Sequence, residues 1–517
     1  MLGLASSSPQ KRVSPAYVRH FRNAVALAMR HRTALTLFIA PLLLLGGLDL
    51  ARCLWRGPAA DTFLGLSLVA SRISFLAALV AGSALVLTTM WRVQWLRAHP
   101  ACAVAWVAFV IFTANGMAFS SSDTGPASLL PFRILRQHTL RFDESFHDVA
   151  GFTRNRAGEV ISRYPIATPL LVTPLYAWAA AGDYPEDLMA VRHLAKVVAA
   201  LLTAVAVALM AMVFWKMAGA SSVFAALALV SYALGTAVLP VHSHGLWQHT
   251  GTAAALSLAL YALVVCDPRR ARTWLVFGAA IGFAVCARPP LVVVVPGLVL
   301  AALARETSGI RTIEGRERLR RVALIAISGG AFALALGTYD FVQFGSPLRT
   351  GYASEAAQFT TPFLTGFVGS LASPGRGLFV FCPILLFCFV GWRAAQPDQR
   401  VRTWLALSLA SYACLMAKWW AWDGAWSAGP RMLSDLLPLF AFVAMCGVRA
   451  TLAQPRWRQL ALAAATYGAA LHLLLTFVMP PAFAREMTWD LQRSAWSIHA
   501  YPPLGYVEGG WLWLKGR

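Results

Sequence analysis

The sequence predicts an all-α, polytopic membrane protein, and three observations carry that prediction. Of its 517 residues, 58% are hydrophobic and only 13% are charged, whereas soluble domains have about 25% charged residues. Apolar runs of roughly 17 or more residues recur along the chain, and each is long enough to cross most of the hydrocarbon core of a bilayer. Arginines cluster between alternate runs, as expected for cytoplasmic loops.

The first 33 residues are polar and basic, and we expect them to form a cytoplasmic tail. No Ala-x-Ala-like site follows the next apolar run, which predicts a retained first span and no cleaved signal peptide. Residues 34–479 are predicted to form the transmembrane domain, and residues 480–517 an external segment. The predicted spans, about 13 in number, cover residues 34–52, 64–90, 101–119, 191–214, 220–239, 249–266, 272–287, 290–305, 322–340, 377–394, 403–418, 431–449 and 459–479.

Two long external loops, residues 120–189 and 340–376, separate these spans. Long connections in compact folds are usually functional or disordered. The first loop has amphipathic stretches at residues 129–135 and 142–152, which predict short juxtamembrane helices. Residues 165–181 are apolar but short and hold three prolines, so we expect an interfacial or re-entrant helix there. The glycines and prolines of residues 343–363 suggest a lid.

The formal net charge of +22 does not indicate a nucleic-acid partner. More than half of the 44 lysines and arginines fall in the predicted cytoplasmic segments, and anionic lipid headgroups can attract others. The basic residues form no patch on a soluble module. The eight cysteines form no Cys-x-x-Cys pair and have mostly apolar neighbours, which is typical of buried hydrophobic residues.

Polar residues that can carry chemistry collect on the predicted external side. Asp123 follows the third span, where its carboxylate can accept a proton or simply form an Asx turn before Gly125. Gln248 and His249 begin the sixth span and can donate hydrogen bonds to a phosphate or a sugar. A zinc site that includes His242 and His244 is disfavoured because no acidic residue is nearby.

Arginines at helix breaks add candidate anion sites. Arg288 precedes two prolines, and its planar guanidinium can bond two phosphate oxygens, or it can snorkel to headgroups. Arg376 stands between two glycines at the start of the tenth span and can likewise bind an anion or snorkel. The segment that ends at Arg431 holds four tryptophans and one acid; among them Trp422, Asp423 and Trp426 suit a sugar-binding wall, although interfacial tryptophan belts are common.

Several of these elements together resemble the bacterial GT-C glycosyltransferases, which are integral-membrane enzymes that use lipid-phosphate-linked sugars. The specific part is three motifs in order: FGSPLxxGY at residues 344–352, SPGRGLF at residues 373–379, and WxxxWSxGPR at residues 422–431. A loop acid after an early span and an Arg-Pro break complete the pattern. The resemblance covers residues 101–479 and implies a GT-C-like bundle with external juxtamembrane helices.

The resemblance implies an inverting transfer of a sugar from a polyprenyl-phosphate donor to a glycan, lipid or protein acceptor. The protein would lie in the bacterial inner membrane with its site facing the periplasm. Asp123 would be the base, with Asp143, Glu144 and Asp148 of the same loop as rivals. The remaining roles fall on two groups: donor phosphate binding on Arg288, Arg376, Arg431 and His249, and sugar or acceptor binding on Trp422, Asp423, Trp426, Gln248 and Tyr352.

Two questions stay open at this point. Family members differ in whether they use a divalent cation, and the sequence shows no ligand set that requires one. A transporter or flippase of lipid-linked sugars would also need arginines around an internal cavity, but it would not need a base. The two hypotheses therefore differ in the role of Asp123.

Overall fold

A computed structural model describes residues 100–114, 121–182, 184–219, 221–305, 315–353, 357–392, 399–424, 427, 429–477 and 495–505. The predicted spans at residues 34–52 and 64–90 lie outside these residues. The described α-helices are α1 (Pro100–Ala114), α2 (Thr124–Gln137), α3 (Ala167–Val172), α4 (Ala177–Ala181), α5 (Leu188–Ala218), α6 (Ser222–Ala233), α7 (Gln248–Val264), α8 (Ala271–Ala287), α9 (Val295–Ala304), α10 (Gly315–Phe344), α11 (Phe363–Ala372), α12 (Leu378–Phe381), α13 (Gln399–Ala417), α14 (Leu437–Thr451) and α15 (Pro455–Phe477).

The prediction of an all-α, multi-pass membrane protein is confirmed. Four described helices are long and apolar enough to cross a membrane, namely Ala190–Ala218, Gly315–Phe344, Arg431–Thr451 and Pro455–Thr476. Shorter apolar helices, including Ala271–Ala287, pack among them. The total of 13 spans stays a prediction.

The predicted tenth span, residues 377–394, differs from the structure. A four-residue helix, α12, ends at Phe381, and a 3₁₀ helix follows over Pro383–Phe389. Pro383 cannot donate a backbone hydrogen bond, so it interrupts the α-helical pattern there. Conversely, part of the predicted loop 340–376 is helical, because α10 extends to Phe344 and α11 packs against α13.

The first long loop folds onto α5 as a small layer of its own. Helix α2 confirms the amphipathic stretch at residues 129–135. The expectation of a helix over residues 142–152 is wrong: a single 3₁₀ turn, Glu144–Phe146, is followed by an antiparallel hairpin of β1 (Phe152–Arg154) and β2 (Val160–Ser162). Phe142, Phe146 and Phe152 pack on one another, so the apolar spacing serves an aromatic cluster.

Residues 167–181 form three short turns, because prolines divide the segment into α3, a 3₁₀ helix at Thr173–Tyr176, and α4. Leu170, Leu171, Leu175 and Trp178 of this segment are exposed, each by more than 40%. An apolar face of this kind fits the predicted position at the membrane interface.

Helices α8 and α10 pack closely against each other where α8 has glycines. The Cβ of an alanine at Gly278 of α8 would lie 2.5 Å from the carbonyl oxygen of Ile325 in α10, and one at Gly282 would lie 2.8 Å from Gly329. The start of α7 and the end of α8 consequently reach the same end of the bundle as the loop layer. We call this the loop end, and the candidate site lies there.

Candidate active site

Asp123 lies at the start of α2, and its carboxylate is held by an arginine from a distant part of the chain. Arg431 Nη1 donates to Asp123 Oδ2 at 2.9 Å, and the Asp123 side chain is 22% exposed. Burial raises the pKa of Asp123, whereas Arg431 and a hydrogen bond from Tyr164 lower it. The lowering effects together outweigh burial, so the pKa lies below the usual 3.8. The carboxylate is therefore ionised and partly open to a ligand.

Arg431 begins a 3₁₀ helix, Arg431–Leu436, after a turn that glycine makes possible. Gly424 and Gly429 have φ angles of 79° and 73°, a region that favours glycine. The guanidinium of Arg431 stacks 4.5 Å from the ring centroid of Trp247. Its buried Nε has no hydrogen-bond partner among the described residues. Arg431 therefore keeps donor capacity beyond its pair with Asp123.

Asp435, one turn beyond Arg431, is a buried carboxylate that sequence reasoning missed. Its Oδ1 contacts His249 Nδ1 at 2.9 Å, and its Oδ2 lies 2.7 Å from Arg288 Nε. Thr252 and Tyr412 donate their hydroxyls to the same carboxylate at 2.7 and 2.8 Å. Asp435 has no exposed surface. Its one sequence signal was an ionisable residue inside a span predicted at residues 431–449.

Arg288 lies at the break between α8 and the 3₁₀ helix Pro289–Val294, where its backbone is extended. Its two terminal nitrogens have weak partners: Gln248 Oε1 at 3.5 Å and Met432 Sδ at 3.9 Å. Gln248 Nε2 also donates to the Tyr352 hydroxyl at 2.9 Å. The Tyr352 ring packs edge-on against Tyr164, which closes the cluster toward Asp123.

Six residues selected from the sequence thus come together: Asp123, Gln248, His249, Arg288, Tyr352 and Arg431. They form the site cluster, together with Asp435, Thr252, Tyr164 and Tyr412. Their roles stay predictions, since proximity alone does not assign a function.

Arg376 and Asp423 lie behind this cluster. Arg376 is 2% exposed, and its Nη1 donates to the Gly375 carbonyl at 3.0 Å. Burial lowers the pKa of Arg376 to about 10, while Asp423 acts in the opposite direction. Arg376 remains a cation near neutral pH and interacts electrostatically with Arg431 of the site cluster, whereas Asp423 interacts with Arg376.

Trp422 is packed inside the protein and does not line an open wall. It is 2% exposed and lies 6.2 Å from Trp496, ring to ring. A Cβ at Gly369 of α11 would come within 2.3 Å of its ring. Trp426 lies outside the described residues. The predicted sugar-stacking role of Trp422 therefore conflicts with its burial, because a stacking platform needs an accessible ring face.

The three rival carboxylates of the first loop are exposed and paired elsewhere. Asp143 forms an ion pair with Arg133. Glu144 pairs with Arg154 at 2.7 Å, and Asp148, with a side chain 92% exposed, pairs with His147 at 2.8 Å. Asp123, by contrast, forms an ion pair with Arg431 of the site cluster.

The residues present do not fit a divalent cation. In the described part of the chain, histidines, cysteines and carboxylates form no group of three with the spacing of a metal site. Both carboxylates of the site cluster already accept from arginines.

Two solved structures are similar to this chain. A crystal structure of ArnT from Cupriavidus metallidurans bound to undecaprenyl phosphate aligns with a TM-score of 0.46 and 13% identity, over 79% of this chain and 75% of that one. An Archaeoglobus fulgidus oligosaccharyltransferase tethered to an acceptor peptide aligns with a TM-score of 0.38 and 12% identity, over 79% of this chain and 56% of that one.

No family model matches the chain, and no curated protein matches it either. The resemblance of the sequence motifs to the GT-C glycosyltransferases is thus accompanied by two remote likenesses in structure. Neither likeness by itself establishes an activity or a substrate for this chain.

Proposed function

We propose that the protein is a membrane glycosyltransferase that transfers a sugar from a polyprenyl-phosphate donor to a hydroxyl group of a glycan, lipid or protein acceptor outside the membrane. The observation that carries this proposal is the contact between a partly exposed carboxylate, Asp123, and the buried cation Arg431, with Arg288 close by. Glycosyl transfer from a phosphate needs a base for the acceptor and positive charge on the leaving group. Both requirements are met within one cluster.

In the proposed reaction, the acceptor hydroxyl oxygen attacks the anomeric carbon as the bond from that carbon to the phosphate oxygen breaks. Asp123 takes the acceptor's proton, and the polyprenyl phosphate leaves with the electron pair. Attack opposite the leaving group inverts the anomeric configuration. Arg288 and Arg431 neutralise the charge that develops on the phosphate. No step of the proposed reaction requires a metal ion, because Arg288 and Arg431 supply the positive charge.

The ion pair between Asp123 and Arg431 also makes the strength of Asp123 as a base depend on the presence of the donor. Arg431 holds the pKa of Asp123 down in the free protein. A phosphate that accepts hydrogen bonds from Arg431 competes with the carboxylate for the same guanidinium. Asp123 then loses its countercharge while it stays buried, and its pKa rises.

Binding of the donor class is tested first, by native mass spectrometry of the purified protein with added polyprenyl phosphate. We expect a bound lipid phosphate in the wild type and weaker binding, by about tenfold or more, in Arg288→Ala and Arg431→Ala. Arg349→Ala, an exposed arginine on the loop, is the matched control and should bind as the wild type does. Binding of bulk phospholipid alone would contradict the proposal.

Turnover then separates a transferase from a flippase of lipid-linked sugars. Asp123→Asn removes the base but keeps the shape of the side chain, so we expect release of polyprenyl phosphate from the sugar donor to fall about a hundredfold or more. A flippase needs no base, so the Asp123→Asn variant of a flippase would move the donor across a vesicle membrane as well as the wild type does. Unchanged donor cleavage in Asp123→Asn would contradict the transferase mechanism.

A further inference from the structure

The carboxylate of Asp435 is saturated by side chains from three other elements. Thr252 and His249 of α7 contact Oδ1 at 2.7 and 2.9 Å. Arg288 and Tyr412 contact Oδ2 at 2.7 and 2.8 Å. An ionised carboxylate has about four lone-pair sites, so these four contacts use its capacity. Asp435 has no exposed surface and no site left for a substrate or a transferred proton.

The contact with Asp435 orients the imidazole of His249. A carboxylate is an acceptor only, so Nδ1 of His249 carries a proton and donates it to Oδ1. The ring is thereby held with Nε2 on its opposite edge. His249 is buried, and it acts electrostatically on Asp123.

The contact with Asp435 also orients Arg288. Asp435 Oδ2 forms an ion pair with Nε of the guanidinium at 2.7 Å, and Nε also donates to the Tyr412 hydroxyl at 3.2 Å, which itself donates to Asp435. The two terminal nitrogens keep only the long contacts to Gln248 and Met432, at 3.5 and 3.9 Å. Two terminal nitrogens fixed in one plane match the spacing of two phosphate oxygens.

We propose that Asp435 is a positioning residue for the lipid-phosphate site, which holds Arg288 so that its two terminal nitrogens meet the phosphate and which fixes the tautomer of His249. This inference rests on the proposed function. Asp435 acts through its partners and does not touch the substrate. The alternative is that Asp435 only neutralises a buried arginine.

The two roles predict opposite changes in affinity for polyprenyl monophosphate. If Asp435 only neutralises Arg288, then Asp435→Asn leaves an arginine with more net positive charge, and an anion binds as tightly as before or more tightly. If Asp435 positions Arg288 and His249, the same change frees both side chains, and binding weakens by about tenfold. The measurement is a titration by native mass spectrometry of the full chain in detergent.

A double-mutant cycle with Arg288→Gln tests whether Asp435 acts through Arg288. For a positioning residue, the double variant should bind no more than about threefold more weakly than Arg288→Gln alone, because the partner is already absent. If the affinity loss of the double variant equals the product of the losses of Asp435→Asn and Arg288→Gln, the inference is overturned. Unchanged or tighter binding in Asp435→Asn would overturn it as well.

If Asp435→Asn does not fold, variants that keep the charges of Asp435 and Arg288 test the inference instead. Tyr412→Phe and Thr252→Val each remove one hydrogen bond from Asp435, and we expect each to weaken binding by about threefold. Ser434→Ala, which removes a neighbouring buried hydroxyl that bonds to the Arg431 carbonyl, is the control. If both variants bind like Ser434→Ala, the inference is overturned. Failure of the wild type to bind the lipid phosphate overturns the proposed function and this inference with it.

Discussion

Trp422 shows how a side chain suited to sugar binding can serve packing instead. It fills the space above Gly369 and is 2% exposed. We expect Trp422→Ala to lower the free energy of unfolding by about 3–5 kcal/mol, because it leaves a cavity. Trp420→Ala, at a tryptophan that is 41% exposed, should cost much less. Thermal unfolding followed by size-exclusion chromatography measures both, and equal losses would contradict this account.

The lowered pKa of Asp123 sets an expectation for the pH dependence of donor cleavage. Because the pKa of the free protein lies below 3.8, Asp123 is ionised throughout the neutral range, and kcat/KM should not fall with Asp123 protonation until the pH drops below that value. Stability gained from this carboxylate is likewise present above the ordinary Asp pKa and is lost only as the pH falls through the lower value of the folded state.

Arg431→Gln should shift the fall of kcat/KM on the acid side of the pH profile to a higher pH. Without the arginine, the largest of the influences that lower the pKa of Asp123 is lost, so burial raises this pKa above its value in the wild type. Residual kcat/KM should then begin to fall at a higher pH than in the wild type, which a pH–rate profile of both proteins measures. An acidic limb at the same pH in both would show that Arg431 does not control this carboxylate.

The residues of the site were partly predictable from chemical type and local pattern. Asp123 after a span, Arg288 before two prolines and His249 at a helix start all lie in the cluster. Asp435 was missed because it lies in an otherwise apolar segment, and its partners are far away in sequence. Trp422 was misjudged because burial depends on Gly369, which no local pattern links to it.

At the scale of elements, the contact between α8 and α10 depends on glycine at its closest points. We expect Gly278→Ala to destabilise the protein by about 1–3 kcal/mol, because the added methyl group overlaps the α10 backbone. Gly330→Ala places the same methyl group in open space on α10. It should be neutral or slightly stabilising, since alanine favours helix. Thermal melting of the two variants is the test, and a similar drop in both would refute the packing argument.

Helices with long apolar runs were predictable, whereas the irregular elements were not. The span predicted at residues 272–287 differs from α8 by one residue at its start. The segment after Gly377 was read as one span, because hydropathy is high on both sides of Pro383 and does not register the change from α to 3₁₀ geometry. The β-hairpin was missed because its strands have three residues each, too few to show alternation.

At the scale of the whole molecule, the charge pattern predicts which ends of the helices face the cytoplasm. Ala157 at the hairpin and Arg272 at the start of α8 should lie on opposite sides of the membrane. In a background without reactive cysteines, Ala157→Cys should react with a membrane-impermeant maleimide in intact cells. Arg272→Cys should react only after the membrane is permeabilised. The reverse pattern would invert the proposed orientation of the site.

The ion pair between Asp123 and Arg431 joins residues 308 positions apart. During synthesis, the first loop therefore emerges long before its arginine exists, and the ribosome has to add most of the remaining spans before the pair can close. A nascent or truncated chain that ends before Arg431 holds Asp123 without its partner and Arg288 without Asp435. The order of biogenesis thus leaves the site cluster incomplete until most of the helices have been synthesised.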